Sequence, residues 1–180
     1  MAEVLLADEL ARRGVDATVH SAGLLDDGRP ASVHSARLMA DRGLDLSAHA
    51  SRAMTPAMLE AADLIIAMER RHVREAAMLV PASWPRAFTL RELARRVVDV
   101  GPRPPDVVLA DWLATLGEKR TTAEHLGESS RDDVADPIGR NLRADRKCAD
   151  ELDELVGVVV DHLWPSTEPQ PDDALRSTTA

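Results

Sequence analysis

Apolar positions recur along most of this chain at helical spacing and run together only briefly. Ala2, Leu6 and Leu10, with Leu5 beside them, predict a helix from Ala2 to Arg13 that Gly14 ends. Ala17-Thr18-Val19-His20-Ser21 reads as a short strand running into Ala22-Gly23, and Asp26-Asp27-Gly28-Arg29-Pro30 as a turn. A second helix is expected over Ala31 to Arg42, closed by Gly43. Thr55-Pro56 starts a third, with a hydroxyl cap and proline at the first helical position. That helix leads into Leu64-Ile65-Ile66-Ala67-Met68, an unbroken apolar run of the length of a buried parallel strand. A helix from Arg70 to Leu79, a weak strand from Arg86 to Thr89 and a helix from Arg91 to Asp99 come next. Gly101-Pro102-Arg103-Pro104-Pro105 is a connection, and Val107 opens another helical stretch through Leu116. The clearest stripe is Leu152, Leu155, Val156, Val159, Val160 and Leu163. Strands alternating with helices indicate an α/β domain with a mostly parallel sheet over residues 1–164. The Pro-containing polar tail, 165–180, is expected to be disordered.

Composition narrows the functional classes. The chain carries 31 acidic and 22 basic residues, a net charge of −9, which argues against non-specific binding to nucleic acid or an anionic membrane surface. Base-stacking platforms are not expected with only Trp84, Trp112, Trp164 and Phe88 as aromatics. No apolar run approaches the roughly 18 residues of a bilayer span. The start, Met1-Ala2-Glu3-Val4, lacks a secretory pattern. Cys148, the single cysteine, allows neither an intrachain disulfide nor a CxxC metal site. A reducing, cytoplasmic setting is expected, with no metal and no cofactor.

Several short pieces in order carry a resemblance. They are Met1-Ala2-Glu3 opening the first helix, His20-Ser21-Ala22-Gly23, Ser51-Arg52-Ala53-Met54-Thr55 and Ala62-Asp63-Leu64-Ile65-Ile66-Ala67-Met68. Phe88-Thr89-Leu90-Arg91-Glu92, Asp132-Asp133-Val134-Ala135-Asp136-Pro137 and Arg146-Lys147-Cys148-Ala149 follow. Together, over Met1 to Leu163, the chain resembles the low-molecular-weight protein tyrosine phosphatases. The resemblance implies a three-layer α/β sandwich with a four-stranded parallel sheet of order 2-1-3-4 and a ligand crevice between strands 1 and 3. It also implies hydrolysis of a phosphorylated protein or small phosphomonoester through a phosphocysteine.

In that family the nucleophile lies in a Cys-x5-Arg-Ser-Pro loop between the first strand and first helix, and Met-Ala-Glu follows it. This chain begins with Met-Ala-Glu. The resemblance therefore implies that strand 1 and the whole phosphate loop are absent from these 180 residues. Without a thiolate, a ring of N–H donors and an arginine, the chain as given is expected to be inactive. Three readings follow: a complete phosphatase whose start is placed too late, a non-catalytic remnant or binding module, or an arsenate reductase once the loop is restored. The last needs further thiols, and only Cys148 is present.

Cys148 is a poor substitute nucleophile. It lies four residues before Leu152 on the apolar stripe, and Glu154 stands where an arginine would be needed. Asp136-Pro137 alone reads as a turn; by resemblance Asp136 is the general acid, protonating the leaving oxygen and then activating water. Asp132 and Asp133 are expected to be solvated. Ile138 follows the proline where the family often has an aromatic residue, and there is no tyrosine in the chain, which weakens the case for phosphotyrosine. By resemblance, Ser21 steadies the catalytic loop; its plain alternative is a strand-end hydroxyl bonded to a nearby amide. His20 and His72 have no partner at zinc spacing.

Overall fold

The computed structural model describes residues 1–24, 28–118, 120 and 130–165. The chain opens with α1 (Ala2–Arg12), followed by α2 (Val33–Ala40) and α3 (Pro56–Ala61). Strand β1 (Ile65–Ala67), α4 (Arg70–Leu79) and β2 (Ala87–Thr89) form a parallel βαβ unit, with a 3₁₀ turn at Pro81–Arg86 before β2. Helices α5 (Leu90–Val100), α6 (Leu109–Gly117) and α7 (Leu142–Leu163) complete it. Of the expected tail, residues 166–180 lie outside the described residues.

Local chemistry sets the element ends. The Ser32 and Thr55 side chains accept hydrogen bonds from the amides of Ser35 and Met58, satisfying free donors at the starts of α2 and α3. Thr89 ends β2 and caps α5, its hydroxyl accepting from Glu92 N at 3.1 Å. Gly101, with φ +98°, ends α5 in a backbone conformation that L side chains rarely adopt.

Strand periodicity divides the interior. Ile66 and Phe88 pack with the helices α1, α5 and α7, whereas Ile65, Ala67 and Ala87 turn to the opposite face. The larger core joins Leu5 of α1, Leu93 and Val97 of α5, and Leu152, Val156 and Val159 of α7. Burying such side chains contributes roughly 1.5–3 kcal/mol each. On the other face Leu59 of α3 and Val73 and Ala76 of α4 form two smaller clusters.

The sheet differs from the expected four strands. Among the described residues it has two, with Ile65, Ile66 and Ala67 in register with Ala87, Phe88 and Thr89. The strand expected at Ala17–Ser21 does not form. Its Ala17, Thr18 and His20 are exposed, and a strand exists only where a neighbour completes its hydrogen-bond ladder. The nearest pairing is an isolated parallel bridge between Gly23 and Ala53, made by Gly23 N to Arg52 O at 2.9 Å and Met54 N to Gly23 O at 2.8 Å.

Candidate active site

Two clusters flank the C-terminal end of β1 and the start of α1. In the first, the Ser21 hydroxyl donates to Glu3 Oε2 at 2.7 Å, and His49 Nδ1 and Arg52 Nη2 approach the same carboxylate at 3.2 and 3.7 Å. Partial burial pushes the Glu3 carboxyl up, but the Ser21 hydrogen bonds, His49 and Arg52 outweigh it and hold Glu3 below its ordinary value. A carboxylate in the first turn also suits the positive end of α1. Ser21 thus fastens the segment after Val19 to the first turn of α1.

In the second cluster, the loop carrying Asp136 is tied to the junction of β1 and α4. Val134 N donates to Met68 O at 2.8 Å, and the Asp133 carboxylate accepts from Arg70 N at 2.8 Å, serving an open donor at the start of α4. Asp132 is buried, against the expectation that it is solvated. Its carboxylate receives Arg70 Nη2 at 2.5 Å and Arg95 Nη2 at 3.2 Å, and two guanidinium groups compensate its lost hydration. Asp133 is half-buried. Asp136 itself is exposed, and its Oδ1 accepts from Ile138 N at 2.9 Å, closing a turn around Pro137. No hydrogen bond or ion pair among the described residues joins Asp136 to Ser21.

Cys148 is 8% exposed on the inward face of α7. Burial pushes its thiol up, and the negative charges of Glu151 and Asp136 push it further in the same direction. The Met1 amine also acts on this thiol, so the start of α1, Cys148 and Asp136 lie within one electrostatic neighbourhood. His72 is held low, chiefly by burial. Among the described residues no group of three or more His, Cys, Asp and Glu could hold a metal ion, and no helix is long and apolar enough to cross a membrane.

A family model described as low molecular weight phosphotyrosine protein phosphatase matches residues 1–101, more than half of the chain. The chain belongs to this family. It is 25% identical over 157 residues, 87% of this chain and 82% of the other, to the protein-arginine-phosphatase of Bacillus subtilis (strain 168). It is 30% identical over 116 residues, 64% of this chain and 78% of the other, to the probable low molecular weight protein-tyrosine-phosphatase EpsP of Ralstonia solanacearum. Among solved structures it is similar to the low molecular weight protein tyrosine phosphatase from T. tengcongensis, with a TM-score of 0.65 and 25% identity, covering 90% of this chain and 88% of that one.

For a low-molecular-weight phosphatase the position of the Asp136 loop is informative. Ligands of open parallel α/β sheets bind outside the carboxyl ends of the strands, and the Val134–Met68 bond holds this loop there. The spacing of residues did not disclose Glu3, His49, Arg52, Arg70, Arg95 or Asp132 as parts of these clusters. Their partners are far apart in sequence, and the pieces of the resemblance that include Glu3, Arg52 and Asp132 do not show which side chains meet.

Proposed function

We propose that these 180 residues carry the scaffold and proton-transfer half of a phosphatase acting on phosphorylated protein residues. A Cys-x5-Arg-Ser-Pro segment joined ahead of Met1 completes the site. The observation that carries this reading is the pinning of the Asp136 loop at the end of β1 and the start of α4. The 180 residues contain no Cys-x5-Arg, and buried Cys148, with its raised pKa, is a weak nucleophile. By itself the chain has a proton donor and nothing to attack with.

In the completed site the thiolate attacks phosphorus and the bond from phosphorus to the leaving atom breaks. Protonated Asp136 gives its proton to that atom. Water then attacks the phosphocysteine, Asp136 takes a proton from it, and phosphate leaves with the thiolate restored. Ile138, 79% exposed directly after Pro137, offers an aliphatic surface where an aromatic residue would hold a phenyl ring. This favours a substrate with an aliphatic stem, phosphoarginine, whose guanidino nitrogen is the leaving atom, over phosphotyrosine, in keeping with the arginine phosphatase relative. The experiment joins the in-frame upstream coding sequence to Met1 and measures release of phosphate from phosphoarginine and phosphotyrosine peptides. Turnover that vanishes when the added cysteine becomes serine supports the reading; an extended chain that encodes Cys-x5-Arg yet hydrolyses neither peptide contradicts it.

A further inference from the structure

The side chains of five described cations, Arg37, Arg140, Arg143, Arg146 and Lys147, make no hydrogen bond or ion pair among the described residues, and all five residues are exposed. Every other described arginine has a bonded or electrostatic partner, as Arg12 has in Asp8, Arg91 in Glu151 and Arg120 in Glu92. Four of the five fall within residues 140–147. Arg143 stands three residues before Arg146 and four before Lys147 on α7, so their Cβ atoms are neighbours at about 5–6 Å. Arg37 lies on α2, which packs against α7. Its helix is held against α7 by His34 at Asp145, 3.1 Å, and by the contact of Arg42 with Asp150 just beyond α2.

The position of Arg143 is unfavourable for the helix. The first turn of a helix disfavours cations, yet α7 places Arg143 there, near Asp145, with Arg146 and Lys147 in the following turn and Asp150, Glu151, Asp153 and Glu154 later. On a chain of net charge −9, a concentration of exposed cations whose side chains have no bonded partner among the described residues points to a partner. The patch is also continuous with the proposed site. Arg140 N donates to Pro137 O at 3.0 Å, closing a turn that leads from Asp136 and exposed Ile138 to Arg140 and the start of α7.

We infer that this patch is the docking surface for an acidic polypeptide segment flanking the phosphorylated residue, an inference that rests on the proposed phosphatase reading. Asp136 faces the reacting group, Ile138 the aliphatic part of the modified side chain, and Arg140, Arg143, Arg146, Lys147 and Arg37 the Asp and Glu residues beside it. The overall negative charge disfavours non-specific binding of nucleic acid, while the local group of cations attracts a short acidic segment. Such a surface selects acidic phosphoproteins through encounter rate and orientation more than through raw affinity.

The test measures binding of a short fluorescein-labelled peptide of alternating Glu and Ser to the 180-residue chain by anisotropy. Arg143→Glu combined with Lys147→Glu is expected to weaken binding about tenfold, and added salt to weaken it further. Arg12→Glu on α1, measured against Arg143→Glu alone, makes the same change in net charge and is expected to have no effect. Unchanged binding in the double variant, equal loss in the Arg12 control, or equally tight binding of a duplex DNA oligonucleotide would overturn the inference. If the double variant does not fold, the neutral Arg143→Gln and Lys147→Gln variants supply the same comparison. Binding needs no nucleophile. Failure here therefore leaves hydrolysis by the extended chain intact, and failure of hydrolysis leaves peptide binding intact.

Discussion

Arg70 and Asp132 meet at 2.5 Å with both side chains almost wholly removed from water, although 62 residues separate them in sequence. The pair joins the start of α4 to the loop that presents Asp136. Removing one partner leaves a buried charge uncompensated, so Asp132→Ala is expected to cost about 3–5 kcal/mol. Arg95, half-exposed beside the same carboxylate, retains water and contributes less. Urea denaturation checks the value; a loss below about 1 kcal/mol, the range of an exposed pair, would show that the pair does not hold the loop.

Glu3 links stability to acid pH. Its folded-state value lies below the ordinary 4.5, so its contribution is present above that value and is lost as pH falls through the lower folded-state value. Glu3→Gln is therefore expected to flatten the dependence of unfolding free energy on pH in that acid range. The same slope in wild type and variant would remove the Ser21, His49 and Arg52 cluster as its cause.

Burial and the neighbouring carboxylates keep the Cys148 thiol protonated at neutral pH. Iodoacetamide is expected to alkylate it slowly in the native chain and readily in urea. Rapid native alkylation would show an accessible thiolate and reopen the question of its chemistry.

Asp136 is expected to matter for turnover and little for folding, since its one hydrogen bond among the described residues closes an exposed turn. In the extended chain Asp136→Asn is expected to lower kcat about 100-fold while inorganic phosphate still binds. Equal kcat in the variant would assign the proton transfer to another group.

Much of the helical architecture is legible in the sequence because amphipathic spacing and caps are local. The spacing places α4 at Arg70–Leu79, as observed, and Thr55-Pro56 marks the start of α3. The start of α7 is harder to see: its first turns are polar, and Asn141, whose side chain accepts from Ala144 N, opens it well before the apolar stripe. Ala17–Ser21 has strand-like residues, but a strand also needs a neighbour, and none pairs with it among the described residues. Asp132 reads as a surface acid because neither Arg70 nor Arg95 lies near it in sequence. Asp136 stands out only through the family resemblance, since Asp-Pro alone specifies a turn.

The most direct measurement is hydrolysis of p-nitrophenyl phosphate by the 180-residue chain and its Cys148→Ser variant. Neither protein is expected to release nitrophenol above the uncatalysed rate. Robust turnover that survives Cys148→Ser would mean that residues already present supply the nucleophile, contradicting the assignment of that role to a segment joined ahead of Met1.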